Sequence, residues 1–125
     1  MSNIKTDERI WINVGGQYFE TTTVTLSKAG NLSVFNGMLN PAFEQKRTKD
    51  NAAFFDRDPE LFGRLLNWMR SGFVRVWDEL DRAMLMHECE FFGMETMSKC
   101  VEDMPVQTNP KVYSQSRSLG FPKHK

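Results

Sequence analysis

Residues 11–30, WINVGGQYFETTTVTLSKAG, and residues 54–72, FFDRDPELFGRLLNWMRSG, decide how this chain folds. Ile10, Ile12 and Val14 alternate with Trp11 and Asn13, the period-2 pattern of a strand with one buried face. Gly15-Gly16 reads as a two-residue loop, because primed hairpin turns need positive φ and glycine adopts it without steric cost. Such a loop sets the register: Val14 opposite Gln17, Ile12 opposite Phe19, Ile10 opposite Thr21, with Asn13 beside Tyr18 on the other face. In the second stretch Asp58 is suited to cap free backbone N–H groups and Pro59 to occupy the first helical position. Phe62, Leu65, Leu66 and Met69 then recur at helical spacing, widened by Leu61 and Trp68. Arg70 sits where the helix dipole favours a cation, and Gly72 supplies the stop.

Outward from these stretches the pattern is weaker. Residues 1–8 are polar and expected to be disordered, and ordered structure is expected over 9–104 as one domain. The β-branched run Thr21–Thr25 predicts a strand that breaks at Leu26-Ser27-Lys28, with a turn at Ala29-Gly30-Asn31. A short helix is expected over Ser33–Asn40, with Ser33 as N-cap, Val34, Phe35, Met38 and Leu39 as its apolar residues and Pro41 just past its end. Residues 44–51 are charged and aperiodic, hence a loop, and Ala52–Phe55 forms the next short strand. A further helix is expected from about Asp78, with Leu80, Met84, His87 and Phe91 along one face and Gly93 at its end. Met94, Met97, Cys100, Val101 and Met104 predict one more short amphipathic helix.

After Met104 the character changes, and residues 105–125 read as a flexible basic tail. That tail has four lysine or arginine residues and no acid, which leaves 12 basic against 16 acidic side chains before it. The neutral total therefore hides a body of net −4 and a tail of net +4. With no global field, charge alone points to neither nucleic acid nor an anionic membrane. Two cysteines cannot make a disulfide framework, and the sequence has neither a signal-peptide pattern nor an apolar run long enough to cross a membrane. A cytoplasmic setting is expected, compatible with nuclear presence. Ten phenylalanines, three tryptophans and eight methionines exceed what a small core needs, so part of the apolar load is expected to face another chain.

Chemistry finds little purchase. Gly15-Gly16 is followed by a strand, not by a helix N-terminus that could cradle phosphate. His87 and Cys89 lie two apart on a helix, about 200° around it, which separates them as zinc ligands or as a nucleophilic pair. Asp58 is taken up as a helix cap, and Arg57 holds nearby carboxylates ionised, against raised-pKa acid chemistry at Asp56. No catalytic residue, metal or cofactor is expected.

Taken together the motifs resemble the potassium-channel tetramerisation-type branch of the BTB/POZ family, over roughly Ile10–Met97. Asn13, Val14, Gly15, Gly16, Phe19, Thr21, Thr25 and Leu26 match that branch's opening hairpin. SVFNGML resembles its first helix, FFDRDPELFGRLLNWMRSG its central strand and helix, and HECEFFGM the later helix. Two features depart from the pattern: Asn51-Ala52-Ala53 replaces a glycine and tyrosine before the central strand, and FVRVWDEL lacks the proline usual after the central helix. The apolar connection that results, with Val74, Val76 and Trp77, is itself a candidate partner contact.

The resemblance implies an α/β (α+β) fold, a small sheet with surrounding helices, that associates into a homo-tetramer or homo-pentamer. It implies a subunit interface at Asn13, Tyr18, Asp56 and Arg57, although Asp56 and Arg57 can equally form a local salt bridge. It also implies a cullin contact at Phe35, Met38, Leu39, Asn40 and Pro41, with core packing as the competing role for the apolar members. The expected function is a homo-oligomeric scaffold and substrate adaptor of a cullin-based ubiquitin ligase. An auxiliary or assembly subunit for a membrane channel or receptor is the alternative, favoured by the shortness of the sequence after Met104.

Overall fold

The computed structural model describes residues 7–40 and 48–107. Pro41, the tail from residue 108 onward and the first six residues lie outside the described residues. Eight elements follow in order: β1 (Arg9–Val14), β2 (Gln17–Thr22), α1 (Thr23–Ser27), α2 (Val34–Met38), β3 (Ala53–Phe55), α3 (Pro59–Ser71), α4 (Glu79–Phe92) and α5 (Glu95–Asp103). The sheet order is β2-β1-β3, with β1 and β2 antiparallel and β3 added parallel to β1.

The hairpin takes the register set by its glycines, pairing Val14 with Gln17, Ile12 with Phe19 and Asn13 with Tyr18. Both glycines have positive φ, 60° at Gly15 and 98° at Gly16. Asn13 adds a device of its own, because its Oδ1 accepts the Gly16 N–H at 2.9 Å and closes the turn. Gly15 N–H donates to the Phe55 carbonyl at 2.9 Å, and a Cβ at Gly15 would lie 2.5 Å from the Arg57 carbonyl oxygen. The hairpin tip is thus packed on the connection between β3 and α3, where only glycine fits.

Two elements differ from the sequence expectation. The strand predicted through Thr25 stops at Thr22, and Thr23–Ser27 is a short helix. Thr22 Oγ1 accepts from Thr25 N–H at 3.2 Å and Asp7 Oδ1 from Val24 N–H at 3.0 Å, so the helix start is capped from two directions. α2 starts at Val34 with Ser33 in the expected N-cap position, although without a side-chain hydrogen bond, and ends at Met38, short of the expected Asn40. In α4 Leu80, Met84, His87 and Phe91 share one face, as their spacing predicts, and that face is exposed, whereas Leu85, Cys89 and Phe92 point inward together with Asp81 and Glu88. The two inward carboxylates are tolerated because each meets an arginine.

The core lies between the inner face of the sheet, Ile10, Ile12 and Val14, and helices α1 to α5. At its centre three buried phenylalanines pack together: Phe35 and Phe92 stack at 5.2 Å between centroids, and Phe62 lies 5.4 Å from Phe92. α3 begins and ends as its sequence dictates, with Asp58 Oδ1 accepting from Glu60 N–H at 2.8 Å and Gly72 left-handed at φ 77°. Gly93 ends α4 at φ 74°, where a Cβ would collide with the Leu32 carbonyl oxygen. Between α3 and α4, Val74 and Val76 turn into the core, while Arg75 lies over the exposed rings of Phe73 and Trp77 at 5.4 and 5.5 Å.

Candidate interaction surfaces

One side of the sheet is covered by the helices, and the alternation of each strand places Trp11, Asn13, Tyr18, Glu20 and Phe54 on the other. Phe54 is 57% exposed and Tyr18 43%. Trp11 and Tyr18 meet edge to face at 6.3 Å, and Lys49 Nζ lies 5.2 Å from one ring and 5.0 Å from the other. An aromatic pair already engaged with a cation, beside an open phenylalanine, is a surface suited to another protein. Arg9 and Glu20 border it at 3.7 Å, both exposed and contributing little to stability.

Asp56 and Arg57 part company. Asp56 is exposed and, among the described residues, without an ion pair. Arg57 reaches the buried Glu88 on α4 through Nε at 3.2 Å and Nη2 at 2.8 Å, and its guanidinium lies 4.2 Å over the Phe91 ring. The pair joins residues 31 apart in sequence, so Arg57 is engaged with α4 and is not a local partner of Asp56. A parallel pair stands two turns earlier on α4: Arg64 meets both oxygens of Asp81, at 2.7 and 3.0 Å, and Asp81 also accepts the Trp77 N–H at 2.9 Å. Burial alone would raise the Asp81 carboxyl, but the Arg64 and Trp77 hydrogen bonds outweigh it and hold the group below the usual range.

Around α2 the expected contact divides. Phe35 is fully buried and Met38 nearly so, which assigns those two side chains to the core. Leu39 is half-buried and Asn40 exposed, and beside them Leu32, 72% exposed, and Val34 present an apolar edge. A third surface is the outer face of α4, where Leu80, Met84 and Phe91 form a stripe. The spacing in the sequence placed these residues on one face, and the structure shows that face to be the exposed one. Lys49 and Glu88, by contrast, carried no local signal, since each acquires its role from a residue distant in sequence.

The two cysteines are unlike each other. Cys89 is buried, and burial first, then the charge of Glu88 and the neighbourhood of Cys100, pushes its thiol up to about 12, whereas Cys100 is exposed. His87 is exposed on the side of α4 opposite Cys89, as their spacing requires.

A small α/β body that offers aromatic and aliphatic patches of this kind is a protein-interaction module. The chain belongs to the BTB/POZ family, in its potassium-channel tetramerisation-type branch, the BTB/POZ domain model matching residues 10–101. It is 31% identical over 93 residues to the BTB/POZ domain-containing protein KCTD5 of Homo sapiens, covering 74% of this chain and 40% of that protein. KCTD9 of Homo sapiens is 32% identical over 93 residues, 73% of this chain and 24% of that protein. The BTB/POZ domain-containing protein At2g24240 of Arabidopsis thaliana is 34% identical over 87 residues, 70% of this chain and 20% of that protein. The chain thus spans between a fifth and two fifths of the length of these relatives. Among the described residues no helix is long and apolar enough to cross a membrane.

Proposed function

We propose that this chain closes with copies of itself into a ring of four or five subunits and acts there as a substrate adaptor of a cullin-based ubiquitin ligase. The observation that carries the ring is the uncovered sheet face, with Tyr18 and Phe54 open to solvent beside Trp11 and Lys49. A closed ring covers such a face on every subunit at once and leaves no unpaired end. Asn13, Tyr18 and Asp56 belong to this contact. Arg57 supports it indirectly, by anchoring the connection that bears Asp56 to α4 through Glu88.

The adaptor reading draws on the family resemblance and on the exposed edge of α2. Leu32 and Val34, with Leu39 and Asn40, provide the small apolar centre such a contact needs, in place of the buried Phe35 and Met38. Pro41 continues that edge in sequence and lies outside the described residues. Repetition around the ring multiplies a weak contact into useful avidity.

The test combines light scattering with capture of a cullin N-terminal fragment. Val34→Asp is expected to abolish capture and leave the particle mass unchanged, whereas Phe54→Glu lowers the mass. Undiminished capture by Val34→Asp removes this surface from the adaptor reading. A fall in mass with that same variant assigns the α2 edge to the ring instead.

A further inference from the structure

We propose that the basic segment following Gln107, residues 108–125, docks in cis along the outer face of α4. That face carries Leu80, 67% exposed, with Met84, His87 and Phe91 exposed on the same side at helical spacing, and among the described residues the Arg57 guanidinium lies over the Phe91 ring at its far end. Beside the stripe a cleft of about 290 Å³ opens between α4 and α5, bordered by Met86, His87, Glu90 and Ser98. The surroundings are acidic on balance: Glu90, Glu95, Glu102 and Asp103 are exposed on the two helices against Lys99, while Glu79 is paired with Arg82 at 2.8 Å. The segment is the complement of this surface, with Lys111, Arg117, Lys123 and Lys125, no acid, and Tyr113, Leu119 and Phe121 as apolar anchors.

The chain also leaves the body at the right place. Arg82, near the start of α4, donates through Nη1 to the carbonyls of Val101 and Met104 at 2.7 Å and Glu102 at 3.1 Å, clamping the end of α5. Gln107 N–H then donates to the Val76 carbonyl at 2.7 Å, which fixes the exit beside the first turn of α4. From Leu80 to Phe91 the helix rises only about 17 Å, and six extended residues reach about 20 Å. Tyr113 can therefore meet the far end of the stripe, and the later anchors have chain to spare. A tethered segment faces its site at an effective concentration near the millimolar range, so contacts too weak to hold a free peptide suffice. Occupied in this way, the α4 face is shielded from non-specific association and is opened only by a partner that displaces the segment.

The experiment uses the full chain with Tyr113 or Phe121 replaced by the photoreactive p-benzoylphenylalanine. Particles are assembled from a mixture of ¹⁵N-labelled and unlabelled chains, irradiated, and their cross-linked peptides mapped by mass spectrometry. The expected products join the segment to residues 80–91 within one isotopic type. Their yield falls severalfold with added salt, with Lys111→Glu plus Arg117→Glu, and with Met84→Glu. Met84 is exposed, so an unchanged circular dichroism spectrum is expected and checks that this variant folds. Cross-links placed elsewhere, absent altogether, or joining labelled to unlabelled chains overturn the proposal. Particle mass measured on the same samples registers failure of the ring separately.

Discussion

Replacing Arg57 by methionine tests the internal pairing of α4 at its most consequential point. The substitution keeps a long side chain over Phe91 and removes the two hydrogen bonds that the guanidinium donates to Glu88. Glu88 is then left with its carboxylate 6% exposed and no cation beside it. Removing one member of a fully buried pair costs about 3–5 kcal/mol. The Arg57 side chain is 21% exposed, so water moderates the loss and about 3 kcal/mol is expected. With a urea slope of roughly 1.5 kcal/mol/M for a domain of this size, the unfolding midpoint falls by about 2 M at fixed protein concentration. The double variant Arg57→Met with Glu88→Leu removes the stranded charge and is expected to recover all but about 1 kcal/mol. A loss below about 0.5 kcal/mol for the single variant, the range of an exposed pair, refutes the argument. So does a double variant no more stable than the single one.

Other consequences are sharper in direction than in size. Gly72→Ala meets open space and is expected to cost only the left-handed backbone penalty, about 1–2 kcal/mol, whereas Gly93→Ala adds a collision with the Leu32 carbonyl and costs measurably more in the same denaturation assay. Because the folded Asp81 carboxyl is depressed, its stabilising pair with Arg64 is complete above the unfolded value of about 3.9 and is lost as pH falls through the folded value. The stability gap between the parent chain and Asp81→Asn should accordingly narrow as pH is lowered below about 4. A thiol reagent at neutral pH is expected to modify Cys100 and spare Cys89 until the chain unfolds, and equal rates for the two would contradict the burial of Cys89.

How far the sequence disclosed this fold depended on whether a residue's partner was near it in the chain. The hairpin and α3 were legible because Gly15-Gly16, Asp58-Pro59 and Gly72 act within a few residues of their own positions. α1 was not, since β-branched Thr23, Val24 and Thr25 prefer strands and are held helical partly by Asp7, seventeen positions away from Val24. The inward face of α4 was not legible for a related reason. A stripe containing Asp81 and Glu88 looks polar until Arg64 and Arg57 are brought onto it, and only the tertiary fold does that. The same pairing leaves Leu80, Met84 and Phe91 on the surface, and the burial of Phe35 and Met38 leaves Leu32 and Val34 as the exposed apolar edge of α2. Asn13 was placed correctly on the outer face by register, yet its hydrogen bond to Gly16 was not foreseen.

Static and dynamic light scattering on the purified full chain at micromolar concentration tests the assembly claim most directly. A single species of four or five times the 14.5 kDa chain mass is expected, shifting to smaller mass when Phe54 is replaced by glutamate. A particle of one chain mass, unaffected by that substitution, would contradict the account.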